Sequence, residues 1–200
     1  MIGAWLPEKE EQRRRLRRLA QGSAQERRAA GLRIVERLLL LPEWCRAEGV
    51  ALYASLPSEP DTDLLFRRAR EQGKRVFYPF LRGADRSLGF GEVEAIESLR
   101  PGSFRFREPR AVEARRLEAD LLLLPGLGFD REGMRLGRGS GYYDRTLAEI
   151  GAGPLRIGLF FSWQELPRVA AEAHDERLDV VITEEETIRI RMAKREGRTG

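Results

Sequence analysis

The sequence predicts a three-layer α/β sandwich with a mostly parallel central sheet. Three observations predict it. Gly49–Ala54, Leu121–Leu124 and Leu155–Phe161 are short apolar runs with little polar alternation, the pattern of strands covered on both faces. Segments of helical character separate such runs, giving a strand, helix, strand rhythm. Glycine or proline closes the elements where a chain must reverse, as at Pro42, Gly73, Gly151 and Gly153.

The elements follow in order. Residues 8–20 read as a charged helix. A second helix starts near Ser23, because Glu26 three residues on completes a capping-box pattern. Leu32, Val35, Leu38 and Leu39 supply its apolar stripe, and Pro42 ends it. Gly49–Ala54 is a buried strand. Thr62 opens a helix to about Glu71, stopped by Gly73, and Arg75–Pro79 is the next strand, so that the three form a parallel βαβ unit. Leu88–Phe90 is a short strand, and Pro101–Pro109 reads as irregular. Leu121–Leu124 is the central strand, Tyr142–Ile150 a helix, and Leu155–Phe161, Val180–Thr183 and Ile188–Ile190 the remaining strands. Residues 1–192 are expected to make one domain, and 193–200 a polar, frayed tail.

Composition excludes several classes of chemistry. The 200 residues are 42% apolar and 34% charged, the balance of a water-exposed globular domain. The net charge is +4, from 36 basic and 32 acidic residues, too even to announce a nucleic-acid protein. The clusters Arg13–Arg15, Arg17–Arg18 and Arg27–Arg28 read as solvated helix faces, since no aromatic interleaving accompanies them. One cysteine, Cys45, cannot make an internal disulfide and suits a reducing, cytoplasmic setting. No secretory signal or membrane-length apolar run is visible, and no obligate protein partner is evident. With a single histidine, His174, a His/Cys zinc site is excluded, and His174 reads as structural. Chemistry must rest on carboxylates, arginines, lysine, a metal ion and bound phosphate.

Residues 124–145 carry the most information. Gly126, Gly128, Gly133, Gly137, Gly139 and Gly141 alternate with Arg131, Arg135 and Arg138, after a buried strand and before a helix. Glycine lets backbone N–H groups close on an anion, the helix N-terminus adds partial positive charge, and arginine adds a forked cation. The segment lacks the Gly-Lys-Ser/Thr end of a Walker loop and the glycine spacing of the dinucleotide fingerprint. By chemistry it is a phosphate or carboxylate loop, with Asp144 positioned to hold Mg²⁺. Arg135 and Arg138 are expected to be exposed loop cations whose replacement affects turnover more than stability.

The string Pro125-Gly-Leu-Gly-Phe-Asp130, Gly133, Arg135-Leu-Gly-Arg-Gly139 and Gly141-Tyr-Tyr-Asp-Arg145 closely resembles the signature of the 5-formyltetrahydrofolate cyclo-ligase family. Glu59-Pro-Asp-Thr62, the segment from His174-Asp175 to Thr183, and the basic opening helix with Lys9 and Arg13 resemble other family segments, in the family's order. The resemblance implies an ATP-dependent ring closure of 5-formyltetrahydrofolate with Mg²⁺ as cofactor, folate and ATP as the small-molecule partners, and neither nucleic acid nor membrane. It implies that Lys9, Arg13, Arg135, Leu136, Gly137, Arg138, Gly139, Ser140, Gly141, Tyr142 and Tyr143 hold ATP. It implies that Ala54, Glu59, Phe104 and Tyr142 line the folate site, and that Asp144 and Asp175 ligate the metal. Arg135, Arg138 and Tyr142 would stand nearest the reacting atoms. Three departures stand out. Ser140 occupies a position where many relatives carry lysine, Phe104 one that is often tryptophan, and Lys9/Arg13 align only after a slide of about one residue. A non-catalytic nucleotide- or RNA-binding relative is a competing reading, disfavoured because Asp144 and Glu59 are both present. A sugar-phosphate enzyme on a similar sheet is another, disfavoured because no acid/base constellation assembles for it.

Overall fold

The computed structural model describes residues 5–19, 22–83, 86–102, 106–110, 117–172 and 174–190. Phe104 and the tail after Ile190 lie outside the described residues, so the expectations for them stay as made. The chain opens with α1 (Trp5–Arg18), α2 (Ala24–Leu39) and the short α3 (Pro42–Arg46). Then come β1 (Gly49–Ala51), α4 (Asp63–Glu71), β2 (Arg75–Arg82) and β3 (Ser87–Glu92). The ribbon β4 (Arg100–Pro101) and β5 (Arg107–Glu108) precedes β6 (Leu121–Leu124). A hairpin of β7 (Gly128–Phe129) and β8 (Arg135–Leu136) leads to α5 (Tyr142–Ile150), β9 (Leu155–Leu159), β10 (Val180–Ile182) and β11 (Thr187–Arg189).

Seven strands form one sheet in the order β11-β10-β9-β6-β1-β2-β3. The five inner strands are parallel; β3 and β11 close the edges antiparallel. The β1–α4–β2 unit is parallel as the sequence rhythm requires, with Val50 opposite Val76. Strand alternation sorts the leucines of β6 into two cores. Leu121 and Leu123 join Ile34 and Leu38 of α2 and Leu65 of α4 on one face. Leu122 and Leu124 join Leu147 of α5 on the other. Helices therefore cover both faces, and three layers result.

α2 begins as its capping box requires: Ser23 Oγ accepts from the Glu26 N–H, and the Glu26 carboxylate accepts from the Ser23 N–H. Its buried stripe is Ala30, Ile34, Val35 and Leu38, however, and Leu32 is 45% exposed. Leu32 falls on the far side of a 3.6-residue turn from Ala30 and Ile34, and those two residues face the sheet. The two described ends of the 101–109 stretch are also more regular than expected, since β4 and β5 pair through Arg100–Glu108 and Pro101–Arg107.

The connections after β1 and β2 run to one side of β1 and the chain later returns to its other side at β6. The β1/β6 boundary is thus the switch point of the sheet, where a crevice opens at the carboxyl ends of the strands. Residues 52–62 leave β1 there, and residues 125–141 leave β6 there. Among the described residues, no helix is long and apolar enough to cross a membrane.

Candidate active site

The loop after β6 is a built structure rather than one irregular glycine run. Gly128 pairs with Leu136 and Phe129 with Arg135. The intervening turn is organised by Asp130, 2% exposed, whose carboxylate accepts from the N–H groups of Glu132, Met134 and Val169 at 2.9–3.0 Å. Two paired residues per strand are too few to produce a periodic signal, so the hairpin was not visible in the sequence. Gln164 donates to the carbonyls of Gly126 and Leu127 and fixes the start of the segment.

Beyond the hairpin the chain turns sharply through Gly139 (φ 115°) and Gly141 (φ 66°), conformations that favour glycine. Gly141 is the N-cap of α5, and no side chain caps that end. The first N–H groups of α5 therefore open toward the crevice with the positive end of the helix dipole.

A cleft of about 280 Å³ lies between the two loops, with Tyr53, Ala54, Leu56 and Glu59 on the β1 side and Pro125, Arg135, Arg138 and Tyr142–Asp144 on the β6 side. Pro79, Leu81 and Phe106 add apolar wall. A larger, more open groove of about 950 Å³ sits at the opposite ends of the strands, beside Gly49, Arg75, Asp120 and Pro154. It has neither the glycine turn nor an open helix N-terminus, and its cations Arg75 and Arg82 are tied to Glu92, Glu118 and Glu149. The smaller cleft is the one with convergent chemistry.

Four charged groups meet in it as two pairs. Arg135 donates to Asp144 at 2.7 Å and lies over the Tyr143 ring, 5.4 Å from its centroid. Arg138 donates to Glu59 through Nη2 (2.7 Å) and Nε (3.1 Å). The other Glu59 oxygen accepts from the Leu56 N–H at 2.9 Å. The expectation that both arginines are exposed holds only for Arg138: its side chain is 39% exposed and that of Arg135 only 2%. Arg135 belongs to β8, and its buried side chain reaches Asp144 of α5 and the Pro125 carbonyl, so its replacement must affect folding as well as chemistry. Its Nε has no hydrogen-bond partner among the described residues. Burial first, and the Glu59 charge second, push the Tyr143 hydroxyl well above its ordinary value, so this phenol stays protonated as a donor.

The remaining sequence-named residues divide. Ala54, Gly137, Ser140, Gly141, Tyr142 and Tyr143 line the cleft. Leu136 is 1% exposed and packs with Leu16, Leu127 and Val169, leaving only its backbone near the loop. Arg13 donates to the Gly137 carbonyl at 3.0 Å, which brings α1 against the glycine turn. Lys9, one helical turn earlier, is buried and donates to Glu172 (2.6 Å) and Asp175 (2.7 Å). Asp144 and Asp175 thus belong to different cation-paired clusters. His174 is exposed, and its ring stands 3.7 Å from Glu172. Glu172, His174 and Asp175 place ligand atoms within 4.8 Å of one another. Glu172 was missed by sequence reasoning; its only local signal is its spacing from Asp175, which accepts its N–H at 2.7 Å. Tyr53 was missed too, because its place depends on a turn: Thr62 Oγ1 donates to the Tyr53 carbonyl and Tyr53 Oη to that of Pro60.

The model of the family described as "5-formyltetrahydrofolate cyclo-ligase family" matches residues 6–184. The chain belongs to that family. Among the family's curated members, the Mus musculus 5-formyltetrahydrofolate cyclo-ligase is 30% identical over 188 residues, 88% of this chain and 91% of its own length. The Mycolicibacterium smegmatis 5-formyltetrahydrofolate cyclo-ligase is 36% identical over 146 residues, 67% of this chain and 72% of its own. The solved structure of Aquifex aeolicus 5,10-methenyltetrahydrofolate synthetase superposes with a TM-score of 0.79 at 33% identity, covering 96% of this chain and 95% of that one. The three-layer fold is therefore the fold of a cyclo-ligase relative, and the cleft at the switch point is a feature of this family member.

Proposed function

We propose that the chain closes 5-formyltetrahydrofolate to 5,10-methenyltetrahydrofolate, consuming ATP with Mg²⁺ and releasing ADP and phosphate. Residues 1–192 act as one catalytic unit in this reading. The observation that carries it is the opposition of two walls in one cleft: a buried carboxylate, Glu59, faces a wall formed by Arg135 of β8 and a glycine turn that carries Arg138 and ends at an open helix N-terminus.

Each wall suits one ligand. A pterin ring presents amino and N–H donors, which a carboxylate accepts. A triphosphate requires N–H groups and guanidinium. The formyl oxygen attacks the γ-phosphorus, and ADP departs. That oxygen is thereby turned into a phosphate leaving group. N10 attacks the formyl carbon, loses its proton, and phosphate leaves. The protein's work is alignment and charge neutralisation, which needs no histidine base or cysteine nucleophile. Arg135 and Arg138 offset charge on the transferring group, Arg13 buttresses the turn, and Tyr142 with Phe106 and Leu81 walls off water. Two separate places offer carboxylate oxygens, the hard donors that Mg²⁺ prefers: Asp144 beside Arg135, and Asp175 with Glu172 beside Lys9. Bound there, Mg²⁺ would supply charge neutralisation to the triphosphate.

The test is absorbance of the methenyl product formed from 5-formyltetrahydrofolate, with ATP and Mg²⁺ each omitted in turn. Product only in the complete mixture is expected. Absence of product from the complete mixture would overturn the proposal.

A further inference from the structure

The Arg138–Glu59 pair joins the two proposed subsites: its cation belongs to the phosphate wall and its carboxylate to the pterin wall. The partners lie 79 residues apart in sequence and on different loops. Resting on the function proposed above, we propose that Arg138 determines when ATP is used. It leaves Glu59 for the triphosphate only when pterin donors take its place on that carboxylate.

The argument begins with burial. The Glu59 side chain is 4% exposed with Arg138 against it, so Arg138 both pairs with the carboxylate and covers it in a cleft whose other walls are largely apolar. One of its oxygens keeps the Leu56 N–H in any case. The other accepts both of its bonds from Arg138. A nucleotide that draws Arg138 away leaves a buried carboxylate half-solvated, which opposes nucleotide binding. A pterin supplies N–H donors to the same carboxylate and removes that opposition. Arg138 is able to exchange partners. It is 39% exposed, it is flanked by Gly137 and Gly139, and among the described residues its guanidinium donates beyond Glu59 only to the Ser58 hydroxyl, at 3.1 Å. The Arg135–Asp144 pair cannot play this part, because both of its members belong to the phosphate wall.

Two properties follow. Folate and nucleotide bind with positive coupling, equal in both directions. A formyl compound without pterin donors fails to release Arg138 and so fails to recruit ATP.

The experiment is calorimetric titration of the whole chain with Mg²⁺ and the β,γ-imido analogue of ATP, with and without saturating 5-formyltetrahydrofolate. In the parent protein, folate is expected to tighten nucleotide binding by about tenfold. In Glu59→Gln the neutral amide no longer demands a cation. The nucleotide alone should then bind about fivefold more tightly than to the parent, and the effect of folate should vanish. Coupling below about twofold in the parent overturns the proposal without reference to any variant. A folded Glu59→Gln protein that binds nucleotide no more tightly than the parent also overturns it. Methenyl product from a parent that shows no coupling would sink the Arg138 proposal and leave the proposed function standing.

Discussion

Two segments leave the sheet side by side, one after β1 and one after β6, and they are stiffened in different ways. The β1 segment is held by short-range bonds: Thr62 to the Tyr53 carbonyl at 2.6 Å, Tyr53 to the Pro60 carbonyl at 2.9 Å, and the Leu56 N–H to Glu59. It exposes apolar wall and a single carboxylate to the cleft. The β6 segment is held by a hairpin, by Asp130 and by Gln164, and it offers guanidinium groups and backbone N–H. Neighbouring strand ends have thus been given opposite chemistry. A crevice lined by both can hold an acceptor-seeking ring against a polyanion, which neither segment does alone.

The largest way to break this arrangement is Arg135→Gln. The side chain is buried, and Asp144 depends on it. Leaving one partner of such a pair uncompensated costs about 3–5 kcal/mol. Denaturant unfolding should show that loss. Turnover of the folded fraction should fall by roughly 10²-fold or more, as for other preorganised donors. Arg138→Gln should lose turnover with a smaller loss of stability, because its side chain is partly exposed and the amide NH₂ can still donate to Glu59. Equal stability losses in the two variants would erase the distinction between them.

Asp144→Asn tests the metal assignment within the β6 segment. An amide keeps an oxygen and loses the charge. Activity at limiting Mg²⁺ should fall by at least the roughly 10–100-fold seen for outer ligands of metal sites. An unchanged Mg²⁺ dependence would remove Asp144 from the metal and leave it as the counter-ion of Arg135.

Glu59→Gln probes the other wall. A hydrogen bond to a charged group contributes about 1.5–3 kcal/mol, so folate affinity should drop about tenfold or more. Titration with 5-formyltetrahydrofolate in the absence of nucleotide measures it. Unchanged folate affinity would mean that the carboxylate serves only Arg138 and the Leu56 turn.

Much of the fold was legible because its signals are local. The four leucines of β6, the Ser23–Glu26 box of α2 and the bounds of α5 each rest on a few consecutive residues. The glycine turn was legible for the same reason. Contacts that decide roles were not. Nothing near Lys9 in sequence announces its two carboxylates, which lie 163 and 166 positions away. Arg135 looked like Arg138 in the sequence, and the two-residue pairing of β8 gave no periodic pattern to show that one is buried against Asp144 and the other reaches across the cleft to Glu59. Asp130 was read only as part of a motif, although its three accepted N–H bonds give the hairpin its shape.

Arg131 supplies the smallest and most discriminating test, because it shares the loop, the residue type and the glycine context of Arg135 and Arg138. It sits at the tip of the β7–β8 turn with its side chain 57% exposed. Its guanidinium meets Glu165 at 2.8 Å and Glu186 at 2.5 Å, and it is not among the residues that line the cleft. Exposed ion pairs are screened by solvent and contribute little. Arg131→Gln should therefore leave turnover and nucleotide affinity within about twofold of the parent and the melting temperature nearly unmoved. Steady-state rates across a range of ATP concentrations, together with a thermal melt, decide it. A loss comparable to that of Arg138→Gln would mean that the phosphate wall extends to the tip of the hairpin, and that the number of arginines in the loop matters more than which of them face the cleft.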